Sequence, residues 1–205
     1  MSRSQLVRLA GVIGAAGAVV QIAYGVIALV VGYPAIVETR GYEAIWGVAI
    51  IGMAAGAIAW AAADFARPRR AAVIGAGLVA VGGFVRLAVS VLLIADPNAA
   101  ADGAIVASML LMFGGLAVLG VATVRAHILG GVDRLLPFVV LLAGFVAASF
   151  YTPATAVHFP LLGLLWGPTW LYLATRAIGA TPALVAATRS VGARPRSRPR
   201  RPPET

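Results

Sequence analysis

The chain has 205 residues, 61% hydrophobic and 11% charged, with a mean hydropathy of +0.95 and a formal net charge of +9. Soluble domains are close to half apolar and a quarter charged, so this composition excludes an ordinary soluble enzyme. There is no Cys, which excludes a disulfide framework and a thiolate metal site; all 16 basic residues are Arg, which with the heavy use of Ala, Gly and Val fits GC-rich bacterial coding.

A bilayer core about 30 Å thick requires roughly 20 apolar residues of helix, because a helix satisfies its own backbone groups in hydrocarbon. The first such run, Leu9 to Val31, follows Arg3 and Arg8 and is about twice the length of a signal-peptide core, so it reads as an uncleaved helix ending at Gly32-Tyr33-Pro34. The second, Ala44 to Ala63, carries Trp46 and Trp60 near its two ends and stops before Arg67-Pro68-Arg69-Arg70. The third, Ala71 to Ala95, contains Arg86 and stops at Asp96-Pro97-Asn98. The fourth runs from Gly103 to Val124, ahead of Gly130-Gly131. The fifth, Leu135 to Thr152, has Pro137 in its first turn, and the sixth, Phe159 to Thr175, has Pro168 inside it; both are short, and a five-span count is the alternative. The expectation is an all-α fold, a polytopic membrane helix bundle of six transmembrane helices over residues 1–179. From Ala180 to Thr205 the composition turns to Arg and Pro, as in Arg194-Pro195-Arg196-Ser197-Arg198-Pro199, which reads as an extended, disordered tail.

Orientation follows from the Arg residues, which cytoplasmic segments retain. With the N-terminus inside, Arg3, Arg8, Arg67, Arg69, Arg70, Arg125, Arg134, Arg176 and the six tail Arg residues share one side; only Arg40 lies opposite, and Arg86 lies within a span. Both termini are then cytoplasmic, in the inner membrane of a bacterium, and Tyr33, Tyr42 and Tyr151 fall at the outer interface. An offset of 65 aligns Gly17-Ala18-Val19-Val20-Gln21-Ile22-Ala23 with Gly82-Gly83-Phe84-Val85-Arg86-Leu87-Ala88, and Gly83-Phe84-Val85 recurs as Gly144-Phe145-Val146, echoes that permit three tandem helical hairpins. The pairs Gly52/Gly56 and Gly163/Gly167 have GxxxG spacing, but 24 glycines in 205 residues produce that many by chance.

Few polar residues remain to carry a function. Arg86 comes first, because a charge in a span is costly and belongs to a protein interior or a water-filled cavity, unless its stem snorkels to the interface. It precedes Ala95 by nine residues, which puts its Cα roughly 13 Å below the outer end of its helix. Candidate partners are Gln21 at comparable depth, Ser90 one turn on, and Glu43, the one carboxylate placed to lean into the bundle; Glu38, Asp96 and Asp102 read as solvated loop charges. His158 opens the last span on the same outer side, while His127 reads as an inner loop residue. Trp166 sits a turn from Trp170, and Gly167-Pro168 between them frees a backbone carbonyl, a way to build a cavity wall. The fragment Trp166-Gly167-Pro168-Thr169-Trp170 resembles part of the tryptophan-rich sensory and translocator proteins over those residues only, and no family is assigned on it.

There is no H-E-x-x-H, no Gly-Lys-Ser/Thr phosphate loop, no His cluster and no pair of intramembrane carboxylates, so metal hydrolysis and nucleotide-driven transport lack their groups, and neither metal nor cofactor is expected. Three functions stay open. The first is binding or transport of a small anionic or amphipathic molecule in an outward-facing pocket of Arg86, Gln21, Glu43, Trp166 and His158. The second is a non-catalytic accessory subunit that packs on a membrane partner, its basic tail held to anionic lipid at about 1 kcal/mol per Arg. A membrane-embedded enzyme is third. Nucleic-acid binding by the tail is disfavoured, because Arg-Pro alternation offers no aromatic stacking platform.

Overall fold

The computed structural model describes residues 1–31, 41–96, 98–149 and 158–180, and all regular structure among them is helical. The expectations for Gly32-Tyr33-Pro34, Glu38, Arg40, Tyr151, the end of the fifth span at Thr152 and the tail beyond Ala180 lie outside the described residues. Helix α1 is Arg3–Val31, α2 Gly41–Ala62, α3 Arg69–Ala95 and α4 Asp102–Ala126. A 3-10 turn, Gly131–Leu135, leads into α5, Leu136–Ser149, and the last helical run comprises α6, His158–Leu161, a π-helical turn, Leu162–Trp166, and α7, Gly167–Gly179. Among the described residues five helical segments are long and apolar enough to cross a membrane. The last run follows them in the same bundle, divided by its π turn.

Local chemistry explains the boundaries that hydropathy placed differently. Helix α1 begins six residues before its apolar run because Ser2 and Gln5 form a reciprocal cap: the Gln5 amide donates to Ser2 Oγ at 3.2 Å and the Ser2 amide to Gln5 Oε1 at 2.7 Å. In the last run Pro168 has no N–H and its ring crowds the carbonyl four residues earlier. The helix widens just ahead of it, with the Gly167 amide bonding the Leu162 carbonyl, a five-residue step.

Helix α2 is the centre of the bundle. Its apolar window is 61% buried, against 39% or less in the other four, and it packs on α1, α3 and α7. The remaining helices pack in chain order, α3 on α4, α4 on α5, α5 on the π turn and α7, and α7 back on α1, and α2 closes the ring between α1 and α3. The outward faces are apolar, with Val12, Val19, Ile74, Val81, Phe84, Leu110, Leu142 and Phe145 exposed. Such a surface suits lipid, not water.

Small residues set the closest approaches. A Cβ on Gly17 would lie 2.7 Å from the Gly52 Cα, one on Gly14 2.7 Å from the Gly56 Cα, and one on Gly75 2.8 Å from the Gly115 carbonyl oxygen. Gly25 and Gly163 meet backbone to backbone in the same way. Gly17 and Gly82, equivalent under the offset of 65, both face the helix that follows their own: Gly17 meets Gly52, and Gly82 meets Ser108 and Met112.

Candidate functional site

Along α3 the buried positions Val79, Gly82, Gly83, Arg86, Val89 and Ser90 form one stripe at helical spacing. Arg86 therefore turns its side chain inward, and only 8% of it is exposed. Helix α2 starts at the same end of the bundle, so Glu43, in its first turn, reaches down to the guanidinium. Arg86 Nη2 donates to Glu43 Oε2 at 2.9 Å and Arg86 Nη1 to Ser90 Oγ at 2.9 Å; the Ser90 hydroxyl donates to the same Glu43 oxygen at 3.0 Å. The guanidinium carbon also lies 5.8 Å from the centroid of the Trp46 ring. A closed triangle of bonds and an aromatic face thus offset the desolvation of both charges.

Above this triangle the helices part around a cavity of 480 Å³. Glu43, Trp46 and Arg86 form its polar side, and Ile105, Val106, Met109, Ala148 and Leu162 its apolar wall. Tyr42, Phe159 and Asp102 complete the rim. Behind it the aromatics form a cluster: Tyr24 stacks on Tyr42 at 6.2 Å, and Phe159 meets Tyr42 edge-on at 5.7 Å. A second void of about 20 Å³, large enough for one water, adjoins on the inner side of Arg86 between Ser108, Phe113, Gly144 and Trp166. Arg86, Trp46, Met109, Ala148 and Leu162 line both spaces.

Of the expected site residues, Arg86 and Glu43 come together at the cavity. Trp166 is buried at the smaller void, packed edge-on to Trp170 at 6.1 Å and Phe113 at 6.5 Å. Gln21 does not join them. It is fully buried, its amide has no hydrogen-bond partner among the described residues, and it lines neither space. Equal depth along two helices does not make them neighbours: α1 and α3 each pack on α2, which stands between them. His158 opens α6 as expected, but its side chain is outside the described residues.

Sequence reasoning missed Asp102 at the rim, having read it as a loop charge, and Tyr42, Trp46 and Met109 on the wall. It also passed over two carboxylates at the opposite end. Asp64 pairs with Arg3 at 3.1 Å and Arg67 at 3.2 Å, while Arg3 Nε donates to the Ala62 carbonyl at 2.6 Å. Asp133 accepts from Arg176 at 2.7 Å and from the Tyr172 hydroxyl at 2.8 Å. Charges next to a turn read as solvated from sequence, yet each of these ties two distant parts of the chain together.

Among the described residues no group of three or more His, Asp or Glu side chains could hold a metal ion. Comparison with known families, curated proteins and solved structures finds no match. The functional reading rests on the site's own chemistry.

Proposed function

We propose that this chain is a multi-pass membrane protein that binds an amphipathic small molecule in the cavity above Arg86. One observation carries the reading: a cavity of drug-like volume with a hydrogen-bonded ion pair at one side and an apolar wall at the other. A polar head would meet Glu43, Arg86 and Asp102, and an apolar body would lie along Ile105, Val106 and Met109. An accessory subunit needs no such space, and a membrane enzyme would need its nucleophile at the cavity, whereas Ser90, the hydroxyl that donates to Glu43, lines neither space.

The setting we infer is the bacterial inner membrane, with the last helical run as a sixth span and both termini in the cytoplasm. Supporting it, Arg3, Arg67, Arg125, Arg134 and Arg176 all fall at the helix ends remote from the cavity. The tail beyond 180 would then lie against anionic lipid headgroups. Reporters fused after Arg70, Asp102, Gly131 and at the C-terminus should read in, out, in and in; an external C-terminus would overturn the orientation.

Binding is tested with N-phenyl-1-naphthylamine, a neutral lipophile that brightens in apolar surroundings, added to the full-length protein in phosphatidylcholine nanodiscs. Saturable brightening above that of empty discs is expected for wild type and its loss for Ala148→Trp, which fills the space shared by both voids. Equal, saturable brightening in both proteins would remove the cavity from the account and favour the accessory role.

A further inference from the structure

The charge balance of the cavity defines the head group it takes. The ionisable groups facing it from each surrounding element are Tyr42 and Glu43 from α2, Arg86 from α3 and Asp102 from α4; α5 contributes Ala148, and the described side chains of the last run contribute Phe159 and Leu162. Among the described residues two carboxylates therefore face one guanidinium. That guanidinium is already engaged, by Glu43 at 2.9 Å, by Ser90 at 2.9 Å and by the Trp46 ring. An incoming anion would share a guanidinium whose charge Glu43 already balances at 2.9 Å, and would have to approach both Glu43 and Asp102.

A cation meets the opposite situation. At Glu43, Arg86 and Ser90 donate to Oε2 and the Tyr42 hydroxyl also bonds the carboxylate, so a head that needs no hydrogen bond, such as a quaternary ammonium, can lie beside it without displacing them. Asp102 is exposed at the rim, and Tyr42, Trp46 and Phe159 present ring faces and edges around the same space. Aromatic faces attract cations and repel anions. Arg86 over Trp46 is an internal example of the ligand chemistry: a delocalised cation held between a carboxylate and an indole.

We propose that the ligand is a cationic amphiphile, a lipophilic amine or quaternary ammonium. Its head lies between Glu43, Asp102 and the Tyr42–Trp46–Phe159 aromatics, and its tail along Leu93, Ile105, Val106 and Met109. The proposal rests on the reading of the cavity as a ligand site; it keeps the amphipathic part of the sequence expectation and replaces its anionic part with the opposite charge.

The test uses three probes with one tail, decyltrimethylammonium, decanol and decyl sulfate, titrated onto the full-length protein in phosphatidylcholine nanodiscs, with uptake by empty discs subtracted. The ammonium should bind about tenfold more tightly than decanol, a ratio typical of a desolvated cation–aromatic and charge contact, and the sulfate more weakly than either. Asp102→Asn, at an exposed position, should lower ammonium affinity severalfold and leave decanol unchanged. Glu43→Gln frees Arg86 and should reverse the order of ammonium and sulfate. Sulfate binding tightest to wild type, or all three binding alike with binding lost in Ala148→Trp, would overturn the cationic ligand and keep the cavity. No uptake of any probe above empty discs would overturn both.

Discussion

The two ends of the bundle deal with charge and space in opposite ways. Glycine contacts draw helices together toward both ends, Gly14 on Gly56 and Gly75 on Gly115 toward one and Gly25 on Gly163 toward the other, but at the end carrying Arg3, Asp64, Asp133 and Arg176 the ion pairs sit at the periphery, with Arg3 and Arg176 each 40% exposed. At the other end the pair is buried, 8% exposed on both sides, and the helices stand apart around 480 Å³. Peripheral pairs between half-solvated groups contribute little, so the first end is held by packing. A pair within the bundle carries a desolvation cost that only its own bonds offset, and a protein stable without it has little physical reason to keep it. On the proposed reading the first end holds the bundle and the second takes the ligand.

The sharpest way to break this contrast is Arg86→Leu. Removing one member leaves Glu43 buried without its partner, and a loss of about 3–5 kcal/mol is expected, read as a large drop in thermal stability in detergent. The double variant Arg86→Leu/Glu43→Leu should recover most of it. If the single variant is as stable as wild type, the pair is not a buried one.

A smaller effect is expected at the first end from Gly75→Val. Its side chain would meet the Gly115 carbonyl and the Leu119 amide, and overpacking of this kind costs about 1–3 kcal/mol. Gly77, two residues on, has nothing within 4 Å of a Cβ, so Gly77→Val should be close to neutral. Equal losses in both would deny that close helix approach holds this end.

The smallest change belongs to Asp64→Asn. It removes the pairs to Arg3 and Arg67, whose side chains are 40% and 62% exposed, and should shift stability by about 1 kcal/mol or less, with that shift shrinking as salt is raised. A loss comparable with that of Arg86→Leu would erase the distinction between the two ends.

How much of this the sequence carries depends on the physical signal. Spans are legible because a bilayer demands long apolar runs, and the start of α1 was misplaced only because hydropathy overlooks the Ser2–Gln5 cap. Arg86 and Glu43 are legible as candidate partners because both lie toward the same end of the bundle. Gln21 illustrates the limit: depth is written in the sequence, but helix neighbours are not. Nor is the buried face of α3 visible in advance, because its apolar residues surround the whole helix and a lipid-facing Val reads like a core Val. The glycine contacts are hidden for a similar reason, since 24 glycines generate pairs at any spacing and only three-dimensional packing selects Gly17 with Gly52. Asp102 was missed because a carboxylate at a helix start satisfies the helix dipole whether or not a cavity lies beside it.

The most direct test of the cavity end as a binding site is photolabelling with a decyl-chain amine bearing a diazirine, carried out on the full-length protein in nanodiscs and mapped by peptide mass spectrometry. Label should concentrate on Trp46, Ile105, Val106, Met109 and Leu162, and disappear from them in Ala148→Trp. Label spread over the lipid-facing Phe84, Leu110 and Phe145, unchanged by that substitution, would contradict a binding cavity above Arg86.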